Sequence, residues 1–167
     1  MNYATIKKTD VANGPGVRVS LFVSGCRHAC KGCFNSEAWS FDYGEPFTDE
    51  TLSEIMSALE PEYIEGFTVL GGEPFEPENR GTVLKVIKTV REKHPDISIW
   101  CYSGSLFDEL RQIETAREIL NLIDVLVDGE FVEEKKNLRL KFRGSENQRL
   151  VDVKKTLAEG RVVELDI

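Results

Sequence analysis

Cys26, Cys30 and Cys33 are three of the four cysteines in this chain of 167 residues. They fall within one short stretch, Cys26-Arg27-His28-Ala29-Cys30-Lys31-Gly32-Cys33. Sulfur is a soft donor, so thiolates spaced C-x3-C-x2-C point to zinc or to an iron–sulfur cluster. A structural zinc site is closed and takes four protein ligands. His28 would supply a fourth, but it is cramped between Cys26 and Cys30. Cys101 lies far along the chain in a strand-like run and reads as a buried small hydrophobe. Clusters of the 4Fe–4S type normally take four cysteines. Three local thiolates without a fourth therefore suit a cluster with one iron left open to a small molecule. On ligand counting, zinc and a redox or structural cysteine set stay open as alternatives.

The elements that must position these residues can be read from periodicity. Val17, Val19, Leu21, Phe22 and Val23 form an apolar run that Gly25 breaks, which predicts a strand with the cysteines in the loop at its C-terminal end. A short edge strand is expected over Tyr3 to Asp10, and Asn13-Gly14-Pro15-Gly16 is turn chemistry. Thr48 is a good N-cap for a helix carrying Leu52, Ile55, Met56 and Leu59 on one face, ended by Pro61. Phe67 to Leu70 is a second strand, and Gly71-Gly72-Glu73-Pro74 follows at once, a stretch that lets a ligand approach the backbone closely. Glu76 to Lys93 reads as a helix stopped by His94-Pro95. Ile97 to Tyr102 is a third strand, Leu106 to Leu122 one helix or two, and Ile123 to Val127 a fourth strand ending at Asp128. Leu138, Leu140 and Phe142 alternate with Arg139, Lys141 and Arg143 as in a half-buried strand. Val151 to Leu157 is expected to be helical, Gly160 to end that helix, and Val162 to Leu165 to form a final strand.

Strands alternating with helices predict an α/β fold with parallel strands joined by crossover helices. Ligands of such folds gather at the C-terminal ends of the strands, where the cysteines, Gly71-Gly72-Glu73 and Asp128 all fall. The length suits one domain spanning residues 1–167 and is too short for a closed eight-fold barrel.

C-x3-C-x2-C after the first main strand, with Gly-Gly-Glu-Pro after the second, resembles the radical S-adenosylmethionine (SAM) superfamily. One feature departs from the common pattern: the residue before the last cysteine is Gly32, and the aromatic follows as Phe34. Cys30-Lys31-Gly32-Cys33-Phe34-Asn35 is similar to the activating proteins of glycyl-radical enzymes. Asn13-Gly14-Pro15-Gly16-x-Arg18 before an apolar strand resembles the same activating proteins, and Asp124-Val125-Leu126-Val127-Asp128-Gly129 and Arg143-Gly144-Ser145-x-Asn147-Gln148 resemble the branch that acts on the anaerobic ribonucleoside-triphosphate reductase.

That resemblance implies an open, partial (β/α) barrel of radical SAM type. It implies a 4Fe–4S cluster on Cys26, Cys30 and Cys33, with SAM on the open iron. It assigns Gly71, Gly72 and Glu73 to the amino-acid end of SAM, Gly32, Cys33 and Phe34 to the wall beside the cluster, and Asp128 to a contact with the ribose. The implied reaction is reductive cleavage of SAM to a 5′-deoxyadenosyl radical, which takes a hydrogen atom from a glycine of the large reductase subunit. A low-potential donor such as flavodoxin is implied too. Rival readings are an activase of another glycyl-radical enzyme such as pyruvate formate-lyase, a small radical SAM enzyme acting on a metabolite, and a zinc-bound interaction module without catalysis.

Composition bounds the rest. Net charge is −8, from 29 acidic and 21 basic side chains, which disfavours nucleic acid as a partner. No apolar run is long enough for a membrane span. The first residues lack the apolar core of a signal peptide, and clustered reduced cysteines point to the cytoplasm.

Overall fold

A computed structural model describes all 167 residues, Met1–Ile167. Its centre is one seven-stranded sheet in the order β3-β1-β2-β4-β5-β6-β7. The four inner strands are parallel: β2 (Arg18–Val23), β4 (Gly66–Gly71), β5 (Ser98–Ser103) and β6 (Val125–Asp128). β1 (Asn2–Asp10) and β3 (Glu45–Pro46) extend one side, and β7 (Arg149–Asp152) the other, all antiparallel to their neighbours. The sheet is mixed and open, since its two end strands do not pair. No helix is long and apolar enough to cross a membrane.

Parallel strands need crossovers, and the helices provide them: α1 (Asp49–Ala58), α2 (Pro77–Lys93), α3 (Phe107–Leu110) and α4 (Glu114–Leu120), with α5 (Val153–Glu159) closing the chain. Thr48 caps α1 through a reciprocal pair of bonds with Thr51, and Gly160 ends α5 in the left-handed region at φ 73°. Strand residues of one face, among them Val19, Leu21, Val69, Ile99, Cys101 and Leu126, join helix residues such as Ile55, Val86, Ile87 and Ile119 in one core. The other face carries Arg18, Ser20 and Thr68 low on the strands. Trp100, Val125, Val127 and Leu150 form a second, smaller cluster there.

The structure departs from the pattern reading in three places. β1 is long, and β3 lies outside it, so β1 is not the edge. The alternation from Leu138 to Arg143 does not form a strand, because the hydrogen-bonding edge of β6 is taken by β7. Leu138 is instead 84% exposed, and the carbonyl of Phe142 accepts from the Tyr102 hydroxyl at 2.6 Å. The helix expected from Val151 starts only at Val153, after β7 has paired, and the expected last strand is reduced to a single bridge between Val151 and Glu164.

Candidate metal and cofactor site

β2 is buried at every position, so the chain must leave the sheet at Val23 and turn into the cysteine loop. The adjacent strand β4 ends at Gly71, and the two exits are laced together. The Gly72 amide donates to the Val23 carbonyl and the Glu73 amide to the Gly25 carbonyl, each at 2.8 Å. Gly71 has φ 108°, and a Cβ there would stand 2.6 Å from the Val23 oxygen. A Cβ on Gly72 would stand 2.6 Å from the Gly25 oxygen. The glycines are therefore required first by backbone meeting backbone, a stricter demand than the ligand approach expected from sequence.

Glu73 is the hub of this lacing. It is buried, and its carboxylate accepts from the Gly104 amide at 2.8 Å, the Phe75 amide at 3.0 Å and the Ser103 hydroxyl at 2.9 Å. His28, in the middle of the cysteine loop, places Nε2 2.8 Å from the same carboxylate, and Glu130 lies 3.6 Å from its Nδ1. The bond to Glu73 raises the pKa of His28 against the opposing effect of burial. Arg27 forms ion pairs with Glu76 and Glu78, and the fully buried Asn79 donates to the carbonyls of Ser24 and Glu73. These side chains clamp the cysteine loop to the segment after β4.

The result is a cavity of about 500 Å³ over the C-terminal ends of the strands and the sheet face without helices. Cys26, Cys30 and Cys33 line it together with Phe34, Gly71, Gly72 and Glu73. Of the remaining residues singled out from sequence, Gly32 stands in the turn between Cys30 and Cys33, at φ 77°, outside the lining. Asp128 is fully buried behind it. Its oxygens accept from Arg149 at 2.9 and 2.6 Å and from the Phe107 amide at 2.8 Å, while its neighbours Val127 and Gly129 reach the wall. Ser103 lines the cavity with its hydroxyl committed to Glu73. Cys101 is fully buried in the helix-side core, away from the other thiols.

The cysteine thiols share the cavity, yet no three Cys, His, Asp or Glu side chains gather around a single ion position. His28, the fourth ligand that zinc would need, is committed to Glu73. Thiolates on different irons of one cluster have no need to converge on a point, so the donor set suits a cluster better than a lone ion. Burial pushes the Cys26 thiol up to about 11, against opposing bonds from the His28 and Ala29 amides, and burial also raises Cys30. A cluster taking these sulfurs as thiolates must displace their protons. Two residues of the lining carry a buried donor with no partner in the chain, Trp39 Nε1 and Arg143 Nε. A cavity with soft ligands at one end and unspent donors on its wall fits an acceptor-rich guest.

Sequence reasoning missed the clamp formed by His28, Arg27 and Asn79, whose partners lie far away along the chain. It did single out the stretch from Arg143 to Gln148, and the structure shows what most of it does. Gln148 accepts from the Gly144 and Ser145 amides and donates to the Gly129 carbonyl, and Asn147 donates to the Glu130 carbonyl. These bonds stitch the loop to the segment after β6.

Comparison with known proteins bears on the same residues. The family described as 4Fe-4S single cluster domain matches residues 12–151. A protein of Pasteurella multocida (strain Pm70) is 42% identical over 150 residues, covering 89% of this chain and 95% of its own length. One of Enterobacteria phage T4 is 41% identical over 152 residues, covering 90% and 93%. One of Escherichia coli (strain K12) is 40% identical over 150 residues, covering 89% and 96%. Each is named anaerobic ribonucleoside-triphosphate reductase-activating protein. The chain belongs to this family. The matched 4Fe–4S domain contains the whole cysteine loop, the Gly71-Gly72-Glu73 segment and Arg143.

Proposed function

We propose that this chain is an enzyme, a radical SAM activase that installs the glycyl radical of an anaerobic ribonucleoside-triphosphate reductase. The observation that carries the reading is the shared cavity: three cysteines of a C-x3-C-x2-C loop face the Gly71-Gly72-Glu73 segment across the ends of parallel strands. Relatives matched over nearly the whole chain are named activating proteins of that reductase, which supports the reading. On this reading residues 1–167 form one radical SAM domain, and the open sheet is its partial (β/α) barrel.

Cys26, Cys30 and Cys33 would hold the 4Fe–4S cluster, and SAM would lie along Gly71 and Gly72. When bound, these groups supply reductive cleavage of the sulfonium that ends in removal of a hydrogen atom from a glycine of the reductase. This chemistry needs no acid–base pair from the chain, which binds, orients and excludes water. Glu73 ties the segment after β4 to the β5 exit at Ser103 and Gly104 and, through His28, to the cysteine loop. Gly32 gives the loop its turn before Cys33. Asp128 holds the β6 exit through Arg149. Phe34, packed on Phe131 with ring centres 5.3 Å apart, screens the mouth beside Cys33. The partner is the large reductase subunit, electrons come from a low-potential donor such as flavodoxin, and the setting is the cytoplasm.

The test is an anaerobic assay on iron- and sulfide-reconstituted chain with SAM and dithionite, with and without the reductase subunit. Formation of 5′-deoxyadenosine with a glycine-centred EPR doublet on the subunit is the expected result. Cleavage without that doublet would move the substrate to another glycyl-radical enzyme or a metabolite. Iron-free protein that binds zinc would return the site to an interaction module.

A further inference from the structure

The run from Lys135 to Arg143 is a basic exception in a chain of net charge −8. It holds five cations and no carboxylate. Arg143 lines the cavity, whereas Lys135, Lys136, Arg139 and Lys141 are exposed. None of these four forms an ion pair within the chain. Glu133 and Glu146, on either side of the run, are spent on Lys31 at 3.8 Å and on the Asn137 side-chain amide at 3.1 Å. The loop is nevertheless held in one shape. Lys136 bridges to Ser145, and the Asn137 amide donates to the Gly144 carbonyl, which pins the base. Further out, the Leu140 amide donates to the Asn137 carbonyl at 3.2 Å and the Arg139 amide to Asn137 Oδ1 at 2.9 Å. That shape leaves Leu138 84% exposed. Lys136 Nζ lies 5.2 Å over the ring of Phe34, itself 62% exposed. Apolar side chains left in water and rimmed by charge mark a surface that a partner covers.

Asn137, Leu138 and Leu140 also line the cavity. Whatever covers the loop therefore stands at the cavity mouth. The proposed reaction needs a backbone glycine of another protein delivered to that mouth, whereas an electron donor needs only to come near. A phosphate backbone pairs with cations but has no use for an exposed leucine and phenylalanine, and the net charge opposes nucleic acid. We propose that residues 135–141 are a docking surface for the reductase subunit, and that they take an acidic segment of it bearing an apolar side chain. The carboxylates of that segment meet the four unpaired cations, and its apolar side chain packs on Leu138 and Phe34. This rests on the activase reading above and adds to it the place where the partner is held.

The experiment measures binding of the reductase subunit to the reconstituted chain. The variants are the reversal Arg139→Glu/Lys141→Glu, the neutral pair Arg139→Gln/Lys141→Gln, and Leu138→Ser. Iron content and the cluster's visible absorption are expected to match wild type in both charge variants. At low salt the reversal should raise Kd about 10- to 100-fold, with the neutral pair between. At about 0.5 M salt the charge variants should approach wild type, while Leu138→Ser stays weaker. Equal affinity in wild type and the reversal, or a wild-type affinity indifferent to salt, overturns the proposal. Unchanged subunit binding with slower reduction of the cluster by flavodoxin overturns it too, and moves the surface to the donor. So does a single-stranded oligonucleotide that binds wild type more tightly than the subunit does and is lost on reversal. Wild-type chain that holds its cluster yet installs no radical on the subunit overturns the activase reading, and this inference with it. A radical installed equally by wild type and the reversal at sub-saturating subunit overturns this inference alone.

Discussion

Arg18 and Arg143 lie toward the same side of one sheet and have opposite fates. Arg18 is 1% exposed at the N-terminal end of the parallel strands. It donates to Thr68 Oγ1 at 2.8 Å and to the carbonyls of Pro15, Phe67 and Ser98 at 3.0, 3.2 and 2.9 Å. Trp100 lies under its guanidinium at 5.6 Å. Burial lowers its pKa to about 10, which leaves it charged at neutral pH. Arg143, lining the cavity, has a buried nitrogen that meets nothing. The N-terminal end of the sheet is finished by the chain's own carbonyls, and the C-terminal end is left for a guest to finish. The same division separates the thiols, since Cys101 is packed among aliphatic core residues and the other three face the cavity.

The largest effect expected from this division is on the metal. Replacing Cys26, Cys30 or Cys33 singly by alanine should abolish assembly of a stable cluster, read as iron per chain and loss of visible absorption. Cys101→Ala should retain full iron and cost about 1 kcal/mol of stability, the usual consequence of trimming a small buried side chain. Full iron in any of the first three variants would break the comparison at its functional end.

Next comes the arginine pair. Arg18→Ala leaves the carbonyls of Pro15, Phe67 and Ser98 and the Thr68 hydroxyl without their donor, and should lower unfolding free energy by roughly 3 kcal/mol. Arg143→Ala should change it by less than about 0.5 kcal/mol, because no bond in the chain is lost. Denaturant midpoints at fixed pH decide this. Similar losses for the two variants would mean that Arg143 is structural after all.

How much of this was legible in the sequence follows from the range of the interactions. The cysteine loop, the Thr48 cap and the segment after β4 rest on neighbours along the chain, so residue types and spacing disclosed them. β7 was hidden because Arg149–Asp152 is too short for a period to register and runs directly into α5. Leu138 to Arg143 alternates as a strand does, but a strand needs a free edge, and the topology had already used it. The bond between His28 and Glu73 joins residues 45 positions apart. The isolation of Arg143 is still less readable, being defined by which partners are already taken.

Gly72 tests the junction between the cysteine loop and the segment after β4. A Cβ there would press on the Gly25 backbone, which has no flexible tip to move aside. Gly72→Ala should therefore cost about 1–3 kcal/mol and lower cluster occupancy as well as SAM affinity. Full cluster with weakened SAM binding alone would show that the loop yields to the methyl group, and that the glycine serves the ligand first.

The smallest effect is a pH dependence at the N-terminal end of the sheet. Asp124 is partly buried, which raises its pKa, but bonds from the Ile99 amide at 2.8 Å, Lys154 at 2.9 Å and Arg91 at 2.9 Å outweigh burial and lower it. A carboxylate held below its unfolded value of about 3.9 contributes stability above that pH and loses it as pH falls through the folded value. Below pH ~4 the wild type should therefore lose stability faster than Asp124→Asn, whose side chain does not titrate. Unfolding midpoints across that acid range give the two slopes. Equal slopes would mean that those three donors favour the carboxylate no more in the folded chain than water does in the unfolded one. This end of the sheet would then be finished by Arg18 alone.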